Sequence, residues 1–146
     1  MCRPIAPLEH VAEILAINHS VPVRQGRAIH PDYLDEGRVR EFFANGTDAM
    51  GAFDTAGVLR GYLTTRTCGD VVVLERVLGH ADVLATGMMY LLFSAVVGQL
   101  TDRRAAGSPA RWFMYDSLAG ATPGMRAFKT TVGFRPYRVR WRWRDA

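Results

Sequence analysis

Glu75, His80 and Asp82 lie close together in this 146-residue chain, and their side-chain types suit proton transfer. An imidazole titrates near neutrality, so His80 can exchange a proton at working pH, with Asp82 beside it as a second carrier. Glu75 falls near the end of an apolar stretch, where partial burial raises a carboxyl pKa and makes it a usable base. Each has a plainer account: Glu75 as a solvated strand residue paired with an arginine, His80 as a loop histidine without a role. Asp116, after a second apolar stretch, can orient an amine or simply begin a turn. Further on, Tyr137, Val139, Trp141 and Trp143 alternate with Arg138, Arg140, Arg142 and Arg144. As a strand this segment would carry its arginines on one face, either as an anion-attracting wall or as protection for a sheet edge.

The elements that must position these groups follow from periodicity. A short strand at Arg3–Ile5 leads to a helix over Pro7–Asn18, whose apolar stripe is Leu8, Val11, Ile14, Leu15 and Ile17. A second helix is expected from Pro31 to Ala44, with Pro31 in its first turn, Asp32, Asp35 and Glu36 early, and Asn45-Gly46 at its end. Strands at Ala49–Phe53, Val58–Thr67 and Val71–Leu78, separated by turn sequences at 54–57 and 68–70, make an antiparallel meander. From Gly87 to Asp102 the spacing becomes helical, with Thr86 as the expected N-cap. A strand at Arg111–Tyr115, a helix from Thr122-Pro123 to Val132 capped by Gly133, and a strand at Tyr137–Trp143 complete the chain. The fold class is α/β (α+β), a single domain over residues 1–146.

Composition narrows the classes of function. Half the residues are hydrophobic and 22% are charged, which suits a folded domain. The apolar run Leu84–Leu100 is too short and too interrupted for a membrane span, and Glu9, His10 and Glu13 do not fit a signal peptide. Cys2 and Cys68 match no metal spacing and read as free thiols of a reducing, cytoplasmic compartment. The net charge of +4 is uneven: residues 1–102 hold 8 basic and 12 acidic side chains, residues 103–146 hold 10 and 2. Such a field draws anions without choosing among nucleotide cofactor, phosphorylated substrate and RNA.

The order of elements resembles that of the GNAT superfamily of N-acyltransferases, and the segment from Gly124 to Pro136, Gly-Met-Arg-Ala-Phe-Lys-Thr-Thr-Val-Gly-Phe-Arg-Pro, looks like their closing helix and Gly-Phe turn. It is also similar to the Phe-Lys helix of Fem-type aminoacyltransferases. The resemblance implies a mixed, mostly antiparallel sheet flanked by helices, with acetyl-CoA or another acyl-CoA as co-substrate and no metal. It implies a pyrophosphate loop after the strand at 71–78, where Arg76-Val77-Leu78-Gly79-His80-Ala81 fits the family pattern of Arg or Gln, two residues, Gly, one residue, Gly or Ala. A competing register places Ala85-Thr86-Gly87-Met88 at the phosphates, with Asp82 where a basic residue normally stands. Helix-opening amides suit an anion in either register.

The same resemblance implies roles for the remaining residues. Glu75 becomes the general base, and Arg24, Arg27 and His30 fall in the segment that roofs the acceptor site. Lys129 stands where many relatives carry the tyrosine that protonates the thiolate; Tyr115 is a replacement, or a buried ring packed with Trp112 and Phe113. Three functions remain open: acetyl transfer from coenzyme A to a small-molecule amine or amino acid, transfer from another donor such as aminoacyl-tRNA, and a repurposed non-catalytic GNAT-like domain. A homodimer fits the exposed strand edges, no membrane partner is expected, and with no recognisable RNA-binding module nucleic acid is not expected, tRNA alone staying open.

Overall fold

The computed structural model describes residues 1–24, 26–115, 118 and 120–140 of the chain. These fall into two compact units, Met1–Asp116 and Ser117–Ala146.

In the first unit, β1 (Cys2–Pro4), β4 (Asp48–Phe53), β5 (Leu59–Cys68), β6 (Val71–Gly79) and β7 (Trp112–Met114) form one sheet in the order β1-β4-β5-β6-β7. All neighbours are antiparallel except β6 and β7, which run parallel. A parallel pair needs a crossover, supplied by α3 (Met88–Ala105). The 54–57 turn is fixed by Asp54, whose carboxylate accepts the Ala56 and Val58 amides at 3.0 and 2.9 Å and the Arg60 guanidinium at 2.8 Å. The second hairpin turns on Gly69-Asp70, with Cys68 opposite Val71.

The first expected helix is a 3-10 turn at Pro7–His10 followed by α1 (Val11–Ser20). The second is likewise divided into a 3-10 turn at Pro31–Tyr33 and α2 (Glu36–Ala44). Asp35 explains that division, because its carboxylate accepts the Arg38 amide at 2.8 Å and so caps a new helix inside the expected one. Between α1 and α2 runs a ribbon absent from the sequence expectation, β2 (Val23–Arg24) paired with β3 (Arg27–Ala28).

Alternation along β5 separates the two faces of the sheet. Tyr62 joins Val11, Ile14, Ile17, Val39 and Phe43 of α1 and α2 in the core. Its neighbour Gly61 faces α3: a Cβ there would stand 2.5 Å from the Met88 sulfur and 3.3 Å from Leu92. The α3 crossover therefore lies on the face opposite α1 and α2. Among the described residues no helix is long and apolar enough to cross a membrane.

In the second unit, Thr122 caps α4 (Pro123–Thr131) by accepting the Met125 amide at 3.3 Å. Gly133, at φ +90°, ends it. The Phe134 amide reaches back to the Lys129 carbonyl at 2.9 Å and the Gly133 amide to Thr130 at 3.0 Å, a Schellman closure. The expected last strand is not found in its described part: Tyr137–Arg140 carry no strand pairing, and Tyr137 and Val139 are both exposed. A period-two pattern needs a partner strand to become a sheet, and the alternation does not supply one. Residues 141–143 of that expectation lie outside the described residues.

Candidate active site at the end of β6

β6 and β7 are paired only over Val71–Val73 and Trp112–Met114, while β6 runs on to Gly79. From Glu75 onward its second edge has no strand beside it among the described residues. The direction of the main-chain groups follows from two bonds to β5: His80 N–H donates to the Arg60 carbonyl at 2.7 Å, and Arg76 N–H to the Thr64 hydroxyl at 3.0 Å. Residues 76, 78 and 80 thus address β5, and Val77 and Gly79 turn their groups to the bare edge. There the Arg24 guanidinium donates to the Val77 carbonyl at 2.7 Å.

Glu75 is the extra residue of a β-bulge, since Thr64 faces Arg76 and Thr65 faces Leu74. A bulge bends its strand and re-aims a side chain. Here it brings the Glu75 carboxylate to Arg66 Nε at 2.6 Å and the Thr47 hydroxyl at 3.2 Å. Arg66 also donates to the Asn45 carbonyl and to Thr47, at 3.0 and 3.1 Å. The Glu75 carboxylate in turn holds Arg66 more firmly protonated than a free guanidinium.

After β6 the chain does not enter α3 directly but makes a 3-10 turn over Ala81–Thr86. His80 caps it, with Nδ1 accepting the Asp82 amide at 3.4 Å and lying 3.3 Å from the Asp82 carboxylate. The Ala81 amide is taken by the Ser20 hydroxyl at 3.0 Å, and the Val83 amide by the His80 carbonyl at 3.0 Å. Thr86 is not the cap of α3, because its hydroxyl donates to the Val83 carbonyl at 2.7 Å. That place belongs to Gly87, at φ +80°, whose carbonyl accepts the Tyr90 and Leu91 amides. The Met88 and Met89 amides precede these first intrahelical bonds.

No family profile and no curated protein sequence matches the chain. Solved structures do. A protein from Desulfovibrio desulfuricans described as an acetyltransferase of the GNAT family superposes with a TM-score of 0.69 at 17% identity, over 94% of this chain and 86% of that one. The chain has the GNAT fold. An aminoglycoside N-acetyltransferase, AAC(6')-Iy, in complex with CoA shares this GNAT fold at a TM-score of 0.64 and 15% identity, over 100% of both chains. A ribosomal-protein-alanine N-acetyltransferase from Brucella melitensis does so at 0.64 and 12%, over 97% and 99%.

On this GNAT fold the other expected site residues lie on several elements. Arg24 and Arg27 lie on the β2–β3 ribbon, and His30 caps the turn at 31–33 by accepting the Asp32 amide at 3.3 Å. Tyr115, just past β7, is half-buried with its ring 5.5 Å from that of Phe93 on α3. Asp116 lies outside the described residues. Lys129, on α4 of the second unit, has a buried side chain. Among the described residues no three His, Cys, Asp or Glu side chains gather as metal ligands do.

Arg76 does not sit in the loop. It is inside β6, with its guanidinium 3.6 Å from the ring centre of Phe42 and 4.2 Å from that of Tyr33. One of its terminal nitrogens is buried without a hydrogen-bond partner among the described residues, an arrangement that costs about 1–3 kcal/mol. Sequence reasoning missed the polar chain beside it. The Tyr62 hydroxyl donates to Asn18 at 2.8 Å, and Asn18 donates to the Tyr33 carbonyl at 2.7 Å. Burial pushes the Tyr62 phenol up, while the Arg76 and Arg24 charges pull against that shift. The signal was Asn18, a polar residue in an apolar helix that is 0% exposed.

Proposed function

We propose that the protein is a coenzyme A-dependent N-acyltransferase that acetylates a small-molecule amine or amino acid. The observation that carries this reading is the wedge where β6 leaves β7 and runs alone past Glu75 to Gly79, beside the start of α3. A bare strand edge offers main-chain groups to an extended ligand, and the opening turn of α3 offers the Met88 and Met89 amides to its phosphates. The helix opens after Gly87, which favours the later of the two loop registers, because the amides after His80 already have protein partners. An aminoglycoside acetyltransferase with CoA bound shares the fold, which adds support.

In this reading the acceptor ammonium gives its proton to Glu75, directly or through water. The amine nitrogen then bonds to the thioester carbonyl carbon as the C–S bond breaks. The thiolate takes a proton from Tyr115, and the second proton that the amide nitrogen sheds returns through water to the phenolate. His80 and Asp82 hold the turn that links strand to helix.

Acetyl-CoA titrated against the protein should raise its Tm, because a ligand at a hundred times its Kd stabilises by about 2.7 kcal/mol. Acetylated amine and free thiol should then appear together. No shift at saturating acetyl-CoA overturns the reading. The basic C-terminal third favours one second reading, transfer from aminoacyl-tRNA. That reading requires charged tRNA to bind near physiological salt.

A further inference from the structure

Five arginines of this chain have a carboxylate partner among the described residues: Arg38, Arg40, Arg60, Arg66 and Arg103. Arg24 and Arg76 have none, although both act on the same phenol, that of Tyr62. Arg24 spends one nitrogen on the Val77 carbonyl. The central carbon of the Arg76 guanidinium lies 3.6 Å from the ring centre of Phe42 and 4.2 Å from that of Tyr33, contacts that supply its N–H groups with no hydrogen-bond acceptor. One edge nitrogen of Arg76 is buried and unmatched among the described residues. Arg66, by contrast, has a carboxylate and makes three hydrogen bonds, to Glu75, Thr47 and the Asn45 carbonyl.

We propose that Arg76, assisted by Arg24, holds a carboxylate of the acceptor, so that the molecule acylated is a small amine bearing a carboxylate, of the amino-acid class. A guanidinium presents parallel N–H groups at the spacing of carboxylate oxygens, which a neutral amide cannot match. The buried nitrogen is out of contact with water, where a charge-assisted pair is stronger than at the surface. Arg76 also lies on the face of β6 that points to α1 and α2, away from α3 and its opening amides, so its anion is distinct from the phosphates of the donor. Only the word acceptor rests on the acyl-transfer reading; the carboxylate site stands by itself.

The test is calorimetric titration of the full chain, at low chloride, with N-acetyl-L-alanine, its neutral isostere N-acetyl-L-alaninamide, and inorganic phosphate. Wild type should bind the carboxylate about tenfold more tightly than the amide, the range of a charge-assisted pair. Arg76→Met, which keeps an adaptable apolar chain against Phe42 and Tyr33, should bring the two within about twofold. Arg76→Lys, which keeps a charge but not the fork, should fall between and serves as the second variant if the methionine protein does not fold. The proposal is overturned by equal binding of carboxylate and amide in wild type, by a preference that survives both substitutions, or by phosphate binding more tightly than the carboxylate. Acetyl-CoA titrated into the same proteins separates the two ideas. Its Kd should be unchanged in Arg76→Met, and its failure to bind wild type would sink the acyl-transfer reading while leaving the carboxylate preference to its own measurement.

Discussion

Glu75 combines a place on β6 just past its pairing with β7 and a fixed side-chain orientation, both of use to the proposed base. Its bulge position aims the carboxylate, and Arg66 with Thr47 holds it. Glu75→Gln keeps the Thr47 bond and the shape while removing the basic oxygen. It should lower kcat by about 10²- to 10⁴-fold, the usual worth of a positioned general base, and leave the Kd of acetyl-CoA unchanged. Steady-state rates with a parallel binding titration check this. A kcat within a few-fold of wild type would make Glu75 a structural partner of Arg66 and nothing more. The pairing of Glu75 with an arginine was legible, because a carboxylate near the end of an apolar strand needs a partner. The neighbours of Arg76 were not. Tyr33 and Phe42 come from distant turns of the chain, and nothing in the local spacing of Arg76-Val77-Leu78-Gly79 announces them.

Elements are tied together by single polar groups as much as by the core. Glu13 of α1 accepts the Leu59 amide of β5 at 2.8 Å with one oxygen and meets His10 Nδ1 at 2.6 Å with the other. The His10 hydrogen bond, helped by the Leu59 amide and against partial burial, holds the Glu13 carboxyl below the usual range. A depressed folded pKa stabilises the protein above the ordinary glutamate value and loses that contribution as pH falls through the folded value. Glu13→Gln should therefore lower stability at pH 7 by about 0.5–1.5 kcal/mol, the worth of a hydrogen bond, with the gap closing below about pH 4. Urea unfolding of both proteins across pH 3–7 measures it; a gap that widens in acid contradicts the assignment. Most elements were readable because they bury one face: α1, α2, the meander and α3 all follow periodicity. The 3-10 turn at 81–86 was not, since its determinants are the cap by His80 and the bond that the Ala81 amide donates to distant Ser20. The β2–β3 ribbon is only two pairs long, too short for a period.

Charge is the property that belongs to the whole molecule. The first unit carries 11 basic and 13 acidic residues and the second 7 and 1, so the net +4 is the sum of one mildly negative and one strongly positive unit. A field of this kind attracts a multiply charged anion from a distance, and if acetyl-CoA is the donor proposed above, this adds to the short bonds proposed for it at Met88 and Met89. The two contributions separate by ionic strength: the screening length is about 10 Å at 0.1 M and about 3 Å at 1 M, so the distant part vanishes first. Acetyl-CoA affinity should fall several-fold between about 0.1 and 1 M sodium chloride and then level off, where the short bonds remain. Pantetheine, which has the acyl-carrying arm of the cofactor without its phosphates, should bind more weakly and with no salt dependence. Titrating both ligands over the same series decides the matter. If acetyl-CoA is as insensitive to salt as pantetheine, its phosphates are not held by this protein, and the helix-opening amides of α3 have no part in binding the donor.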